Sequence, residues 1–297
     1  MIMELIFQAS ICVLCIVNNI VHGVGMWLLK KILSSRKNPQ MHLIFNLSLS
    51  EFIVSCLEVS KIFIMWVMGE EHESVFYVNM FQLSGLSLLV NFMMIFITLD
   101  RLAHFLLNLQ YTSVISIRRT KFLCWFSWSL SVTYSIVCCV LFRYELVDFD
   151  ILYKYQYPSI GVIFLISASI TYSYIAYKCC IHRRMSQHST VKMKMYLPTL
   201  LIATYVLLQI VPDLIYLLYI VVPKRESSVE FNVVIWFVYM VSLLSDGLIY
   251  IFVQENVRQE LFRLLGRMKC QKYSQSEGNT TASIQGSKLS VISTHVQ

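Results

Sequence analysis

Four acids stand inside otherwise apolar stretches of this chain: Glu51, Glu58, Asp213 and Asp246. A fifth, Asp100, closes such a stretch beside Arg101 in "FITLDRLAHF". A carboxylate in apolar surroundings is costly unless it finds a cation, a proton to share, or water. Glu51 and Glu58 are two helical turns apart on one face, and Lys61, one turn further, is a partner for Glu58. Asp213 follows Pro212, where a helix loses a backbone hydrogen bond and kinks, and Tyr216 recurs at helical spacing behind it. Asp246 precedes Gly247 in "SDGLIY". Glu51 and Asp246, both buried, do not both ionise without a cation, so the expectation is a shared proton or a sodium ion between them.

Catalytic chemistry finds no support in the remaining residues. The seven histidines are scattered, and none forms an HxxxH or HxxxD pair inside an apolar stretch. There is no phosphate-binding glycine loop and no GxSxG nucleophile motif. The expectation is a protein that is not an enzyme and has no cofactor.

The elements that must position these groups are apolar helices. The 297 residues are 57% hydrophobic and 14% charged, with mean hydropathy +0.64. A soluble domain carries about 25% charged residues. A helix crosses the ~30 Å hydrocarbon core with roughly 20 apolar residues. Seven segments qualify, at about 5–29, 41–68, 76–106, 121–143, 158–181, 195–222 and 231–253. The first, close behind Met1 with no basic stretch or small-residue cleavage site, reads as a retained signal anchor.

Most of the 24 Lys and Arg then fall on one side, including Lys30, Lys31, Arg118, Arg119, Arg183, Arg184 and those from Arg258 onward. The positive-inside rule makes that side cytoplasmic, with the amino terminus outside and the carboxyl terminus inside. The +7 net charge suits an anionic inner leaflet and calls for no nucleic acid. The outer loops are acidic (Glu70, Glu71, Glu73, Glu145, Asp148, Asp150), either as solvated loop residues or as a field for a cationic ligand. No cysteine falls clearly in an outer loop, so no structural disulfide is expected, and Cys270 is a lipidation candidate. A short amphipathic helix follows at about 255–266, and the polar composition of 268–297 reads as a disordered cytoplasmic tail.

"NLSLSE" (46–51) resembles the second-helix NLxxxD signature of rhodopsin-like (class A) G-protein-coupled receptors. "LDRL" (99–102) resembles their E/DRY motif, and Trp128 in "WSLS" stands for the fourth-helix tryptophan. "IVPD" (210–213) places Pro212 at the sixth-helix proline. "SDGLIYIFVQENVRQELFRLL" (245–265) is similar to N/DPxxY followed by an eighth helix lying on the membrane. In style the motifs are closest to the melanocortin, adenosine and cannabinoid branch. The chain departs at Gly23 for asparagine, Glu51 for aspartate, Ile210 for the toggle tryptophan and Gly247 for proline. It has no cysteine near Phe76 for the usual disulfide, and Leu83 stands at the amine-binding aspartate position.

The resemblance implies an all-α membrane protein: a seven-transmembrane helix bundle with a short amphipathic eighth helix, spanning residues 1–267, in the plasma membrane. It implies a receptor that passes an extracellular ligand signal to heterotrimeric G proteins by outward movement of helix six about Pro212. Asp100, Arg101, Tyr174 (or Tyr172) and Tyr250 would form the coupling switch. Lys192 and Lys194 replace the usual acidic lock, so appreciable basal activity is expected. Helical facing assigns Glu58, Lys61, Gln82, Asp213, Tyr216, Trp236 and Tyr239 to a ligand pocket for a peptide, lipid or small molecule, neither a typical monoamine nor retinal. Membrane lipids are further partners, as is arrestin through Ser274, Ser276, Thr280, Thr281 and Ser283. The alternative is a proton- or cation-coupled transporter or channel using Glu51, Glu58 and Asp246.

Overall fold

The computed structural model describes residues 2–35, 38–69, 72–107, 111–144, 146, 157–183, 196–216, 218, 229–264 and 266. They are almost entirely helical, with no strand among them. The main helices are α1 (Ile2–Ser35), α2 (Pro39–Met68), α3 (Glu73–Leu107), α4 (Ile117–Arg143) and α5 (Tyr157–Arg183). Helix α6 runs Tyr196–Tyr205, passes through a π-helical turn, Val206–Ile210, and continues as Val211–Tyr216. Helix α7 is Val229–Phe252, and α8 covers 255–264.

Helices outrun the apolar windows from which they are inferred, because a helix ends where its backbone is capped and not where hydropathy falls. At the start of α2, Asn38 Oδ1 accepts from the Gln40 N–H at 3.0 Å and Pro39 takes the first turn, where its missing N–H costs nothing. Its end is Gly69, at φ 93°, whose N–H closes on Met65 O at 3.0 Å. Ser116 caps α4 by accepting from the Arg119 N–H at 3.3 Å.

Four helical stretches are long and apolar enough to cross a membrane: Ile6–Leu33, Glu73–Leu107, Ile117–Arg143 and Val234–Phe252. The chain therefore fits a multi-pass membrane protein. Helix α2, 30 residues long with Glu51, Glu58 and Lys61 inside it, is not in that set. The apolar stretches described in α5 and α6, Ser159–Tyr174 and Leu200–Tyr216, are shorter. Four of the seven expected spans thus meet the criterion of length and apolarity within the described residues.

Packing follows the logic of helices in lipid, where burying an apolar side chain gains little and close van der Waals contact gains more. Along α4, Cys124, Ser127, Ser131, Ser135 and Cys138 are buried at helical spacing, while Phe122, Trp125 and Phe126 face outward. The small face lets α3 lie against it: a β-carbon on Gly85 would stand 1.7 Å from Ser135 Oγ. Trp128 Nε1 donates to Asn46 Oδ1 on α2 at 3.1 Å, which fixes α4 across the α2–α3 pair. Helix α1 packs on α2 and α7, and α3 touches α2, α4, α5 and α6, so α3 runs through the middle. Helix α8 buries Val257 against the core and ties Glu260 to Lys31 on α1.

Candidate functional site

Polar side chains collect at three levels along α3. At one end, Asp100 and Arg101 are 6% and 5% exposed, and Arg101 Nη2 donates to Asp100 Oδ2 at 3.0 Å. The other carboxylate oxygen accepts from the Tyr111 hydroxyl. Tyr111 sits on a single helical turn, Tyr111–Val114, with the His104 ring tilted against it at 4.7 Å. Burial, and then the bond to Asp100, hold the Tyr111 phenol protonated above its ordinary value of 10.0. Nothing in the spacing of the sequence singled out Tyr111; the only signal was an aromatic donor eleven residues beyond a buried acid.

At the middle level, Glu51 and Asp246 are fully buried and face one another from α2 and α7. The Tyr250 hydroxyl donates to Glu51 Oε2 at 3.2 Å. Thr204 Oγ1 lies 3.0 Å from Asp246 Oδ1, and also within 3.0 Å of the Leu200 and Leu201 carbonyls. One hydroxyl hydrogen serves at most one or two of these three acceptors at a time. Glu51 Oε1 and Asp246 Oδ2 have no hydrogen-bond partner, an arrangement that one shared proton relieves. Among the described residues, no group of three or more His, Cys, Asp or Glu is placed to hold a metal ion.

His22 completes this cluster, and the sequence reading did not include it. Its Nε2 is 2.9 Å from the Leu243 carbonyl, which only accepts, so Nε2 carries the hydrogen and Nδ1 accepts from Ser48 Oγ at 3.0 Å. Glu51 Oε2 is 3.7 Å from Nδ1. Gly247 makes the contact possible: a β-carbon there would come within 2.8 Å of Val21 Cγ1 and 3.1 Å of His22 Nε2. Gly247 thus brings α7 onto α1.

At the other end of α3, Glu58 is 2% exposed and saturated with donors. Lys61 Nζ is 2.6 Å from Oε1, Trp236 Nε1 donates to Oε1 at 3.0 Å, and Gln82 Nε2 donates to Oε2 at 3.3 Å. Lys61 also lies over the Trp236 ring, 4.8 Å from its centroid, and Trp236 stacks on Tyr239. Five expected pocket residues, Glu58, Lys61, Gln82, Trp236 and Tyr239, are thereby brought together. Of the other two, Asp213 lies near Gly161 of α5 and within electrostatic reach of Tyr239, and Tyr216 stacks on Phe231. Both follow the π turn.

Pro212 does sit at the irregularity of α6, directly after Val206–Ile210. Tyr174 is 38% exposed and Tyr250 is buried, whereas Tyr172 packs against the core. Cys12, Cys15, Cys56, Cys124, Cys138 and Cys139 are free thiols. Cys270, Lys192, Lys194 and the tail lie outside the described residues. No protein-family model matches the chain, and no curated protein matches it.

Proposed function

We propose that the chain is a rhodopsin-like G-protein-coupled receptor of seven membrane spans, in the plasma membrane, with its amino terminus outside and its tail in the cytoplasm. The observation that carries the reading is the buried Asp100–Arg101 pair capped by Tyr111. An ion pair at 3.0 Å with both members nearly sealed from water holds one of two discrete arrangements, because separating buried charges costs several kcal/mol. Such a group is suited to be a switch.

In this reading the Glu58–Lys61–Trp236 end meets the extracellular ligand and the Arg101 end meets the G protein. Between them the Glu51–Asp246–Tyr250 cluster joins α2 to α7 and, through Thr204, to α6. A ligand that favours one packing of α6 and α7 shifts the population toward it, by no more than its differential affinity. The lower part of α6 then moves out, Arg101 leaves Asp100 and Tyr111, and the freed guanidinium faces the transducer. Tyr250 and a tyrosine of α5 stabilise the open form. A proton- or cation-coupled transporter remains the rival, using the same buried carboxylates.

A transducer panel in cells separates the two. Expressed at the surface without added ligand, the wild type is expected to recruit at least one G-protein class above mock-transfected cells. A current or uptake that persists in Arg101→Ala, with no transducer engaged, would reverse the assignment.

A further inference from the structure

The Glu58 end contains a cavity of about 10 Å³, lined by Val54, Gln82, Leu83, Ser87, Trp236 and Tyr239. That is room for roughly one water-sized group. Gln82, 4% exposed, is held with its amide orientation fixed. Its Nε2 faces two acceptors, the Val54 carbonyl at 3.1 Å and Glu58 Oε2 at 3.3 Å, so the other atom must be the oxygen. That oxygen, Oε1, has no hydrogen-bond partner. A buried acceptor left open is costly, and such an atom calls for an explanation. The residue also lies on the π-helical segment Phe81–Leu86 of α3, a distortion that re-aims side chains and recurs at binding sites.

The charges around the cavity decide what kind of partner fits. Glu58 already accepts from Lys61, Trp236 and Gln82, which leaves it no need of a ligand cation. Lys61, paired with that carboxylate and lying over the Trp236 ring, repels a second cation there and is not free for an anion. The Ser87 hydroxyl is turned back onto the Leu83 carbonyl. The remaining lining, Val54, Leu83, Trp236 and the Tyr239 phenol, carries no charge.

We infer that this cavity takes the head of an uncharged ligand, a single hydroxyl or N–H group donating to Gln82 Oε1. The inference rests on the receptor reading for its biological role, but its test reads binding alone. Full-length protein in lipid nanodiscs is titrated near neutral pH with four probes sharing one skeleton: 2-phenylethanol, 2-phenylethylamine, phenylacetate and ethylbenzene. The readout is the melting midpoint against concentration. The alcohol is expected to give a saturable rise, with the amine, the acid and the hydrocarbon each weaker by about tenfold or more, the loss expected of one hydrogen bond or one misplaced charge. Gln82→Met, which removes the acceptor, and Leu83→Phe, which fills the cavity and leaves Gln82 in place, are each expected to weaken the alcohol about tenfold. If one variant fails to fold, the other decides. Equal binding of a charged or donor-free probe, unchanged binding in the folded variants, or no saturable rise would overturn the inference. G-protein coupling measured in parallel stays informative either way, since its loss would count against the receptor reading only.

Discussion

Tyr111→Phe is the substitution that most sharply probes the proposed switch. It removes one oxygen atom and leaves a ring of the same shape, buried at 7% exposure against His104. What is lost is the hydroxyl that donates to Asp100 Oδ1, a hydrogen bond to a charged acceptor shielded from water. Such bonds contribute about 1.5–3 kcal/mol. If the bond exists only in the closed arrangement, its loss shifts the closed-to-open ratio by roughly 10- to 150-fold. The assay is ligand-free G-protein signalling at matched surface density, with Asp100→Asn as a reference that weakens the same lock. Tyr111→Phe is expected to raise the basal signal toward that of Asp100→Asn. The phenol sits above its ordinary value of 10.0, so the donor is intact at every pH below that, and the wild-type basal signal should not change between about pH 6 and 9 on its account. A basal signal equal to wild type in Tyr111→Phe, with Asp100→Asn raised, would refute this role for the hydroxyl.

Three further outcomes are expected. Gly247→Ala should lower the melting midpoint through overpacking of about 1–3 kcal/mol, since its β-carbon meets Val21 at 2.8 Å; Gly23→Ala, with nothing nearer than 3.9 Å, should not. Glu51→Gln keeps an acceptor for Tyr250 and supplies a donor toward Asp246, so it should melt near wild type, whereas Glu51→Ala should lose about 2–4 kcal/mol by stranding both partners. The hydrogen bond from Lys31 holds the Glu260 carboxyl below its ordinary 4.5, so the tie between α8 and α1 is present above that pH and is lost as pH falls through the lower folded value. Hydrogen exchange over 255–264 should accelerate there, and Lys31→Ala should show the faster exchange already near neutral pH.

What could be read from the sequence was whatever depends on periodicity along one helix. Glu58 and Lys61 are one turn apart in the chain and pair in space. Asp100 and Arg101 are neighbours whose pairing follows from burial. The meeting of Glu51 with Asp246 also followed, because two acids at mid-depth in an apolar bundle have few other partners. His22 and Tyr111 escaped because their roles depend on contacts between helices, which no spacing encodes. Gly247 read as a missing proline, while its effect is the absence of a β-carbon against α1. Hydropathy likewise could not place helix ends, which Asn38, Ser116 and Gly69 set by capping.

The most direct test uses purified full-length protein in nanodiscs with heterotrimeric G proteins of each class, following nucleotide exchange for the wild type and Arg101→Ala. Accelerated exchange on at least one class by the wild type, abolished by Arg101→Ala with its melting behaviour intact, is the expected result. Exchange no faster than with empty nanodiscs for every class, or acceleration unchanged in Arg101→Ala, would contradict the receptor assignment and the switch built on Asp100, Arg101 and Tyr111.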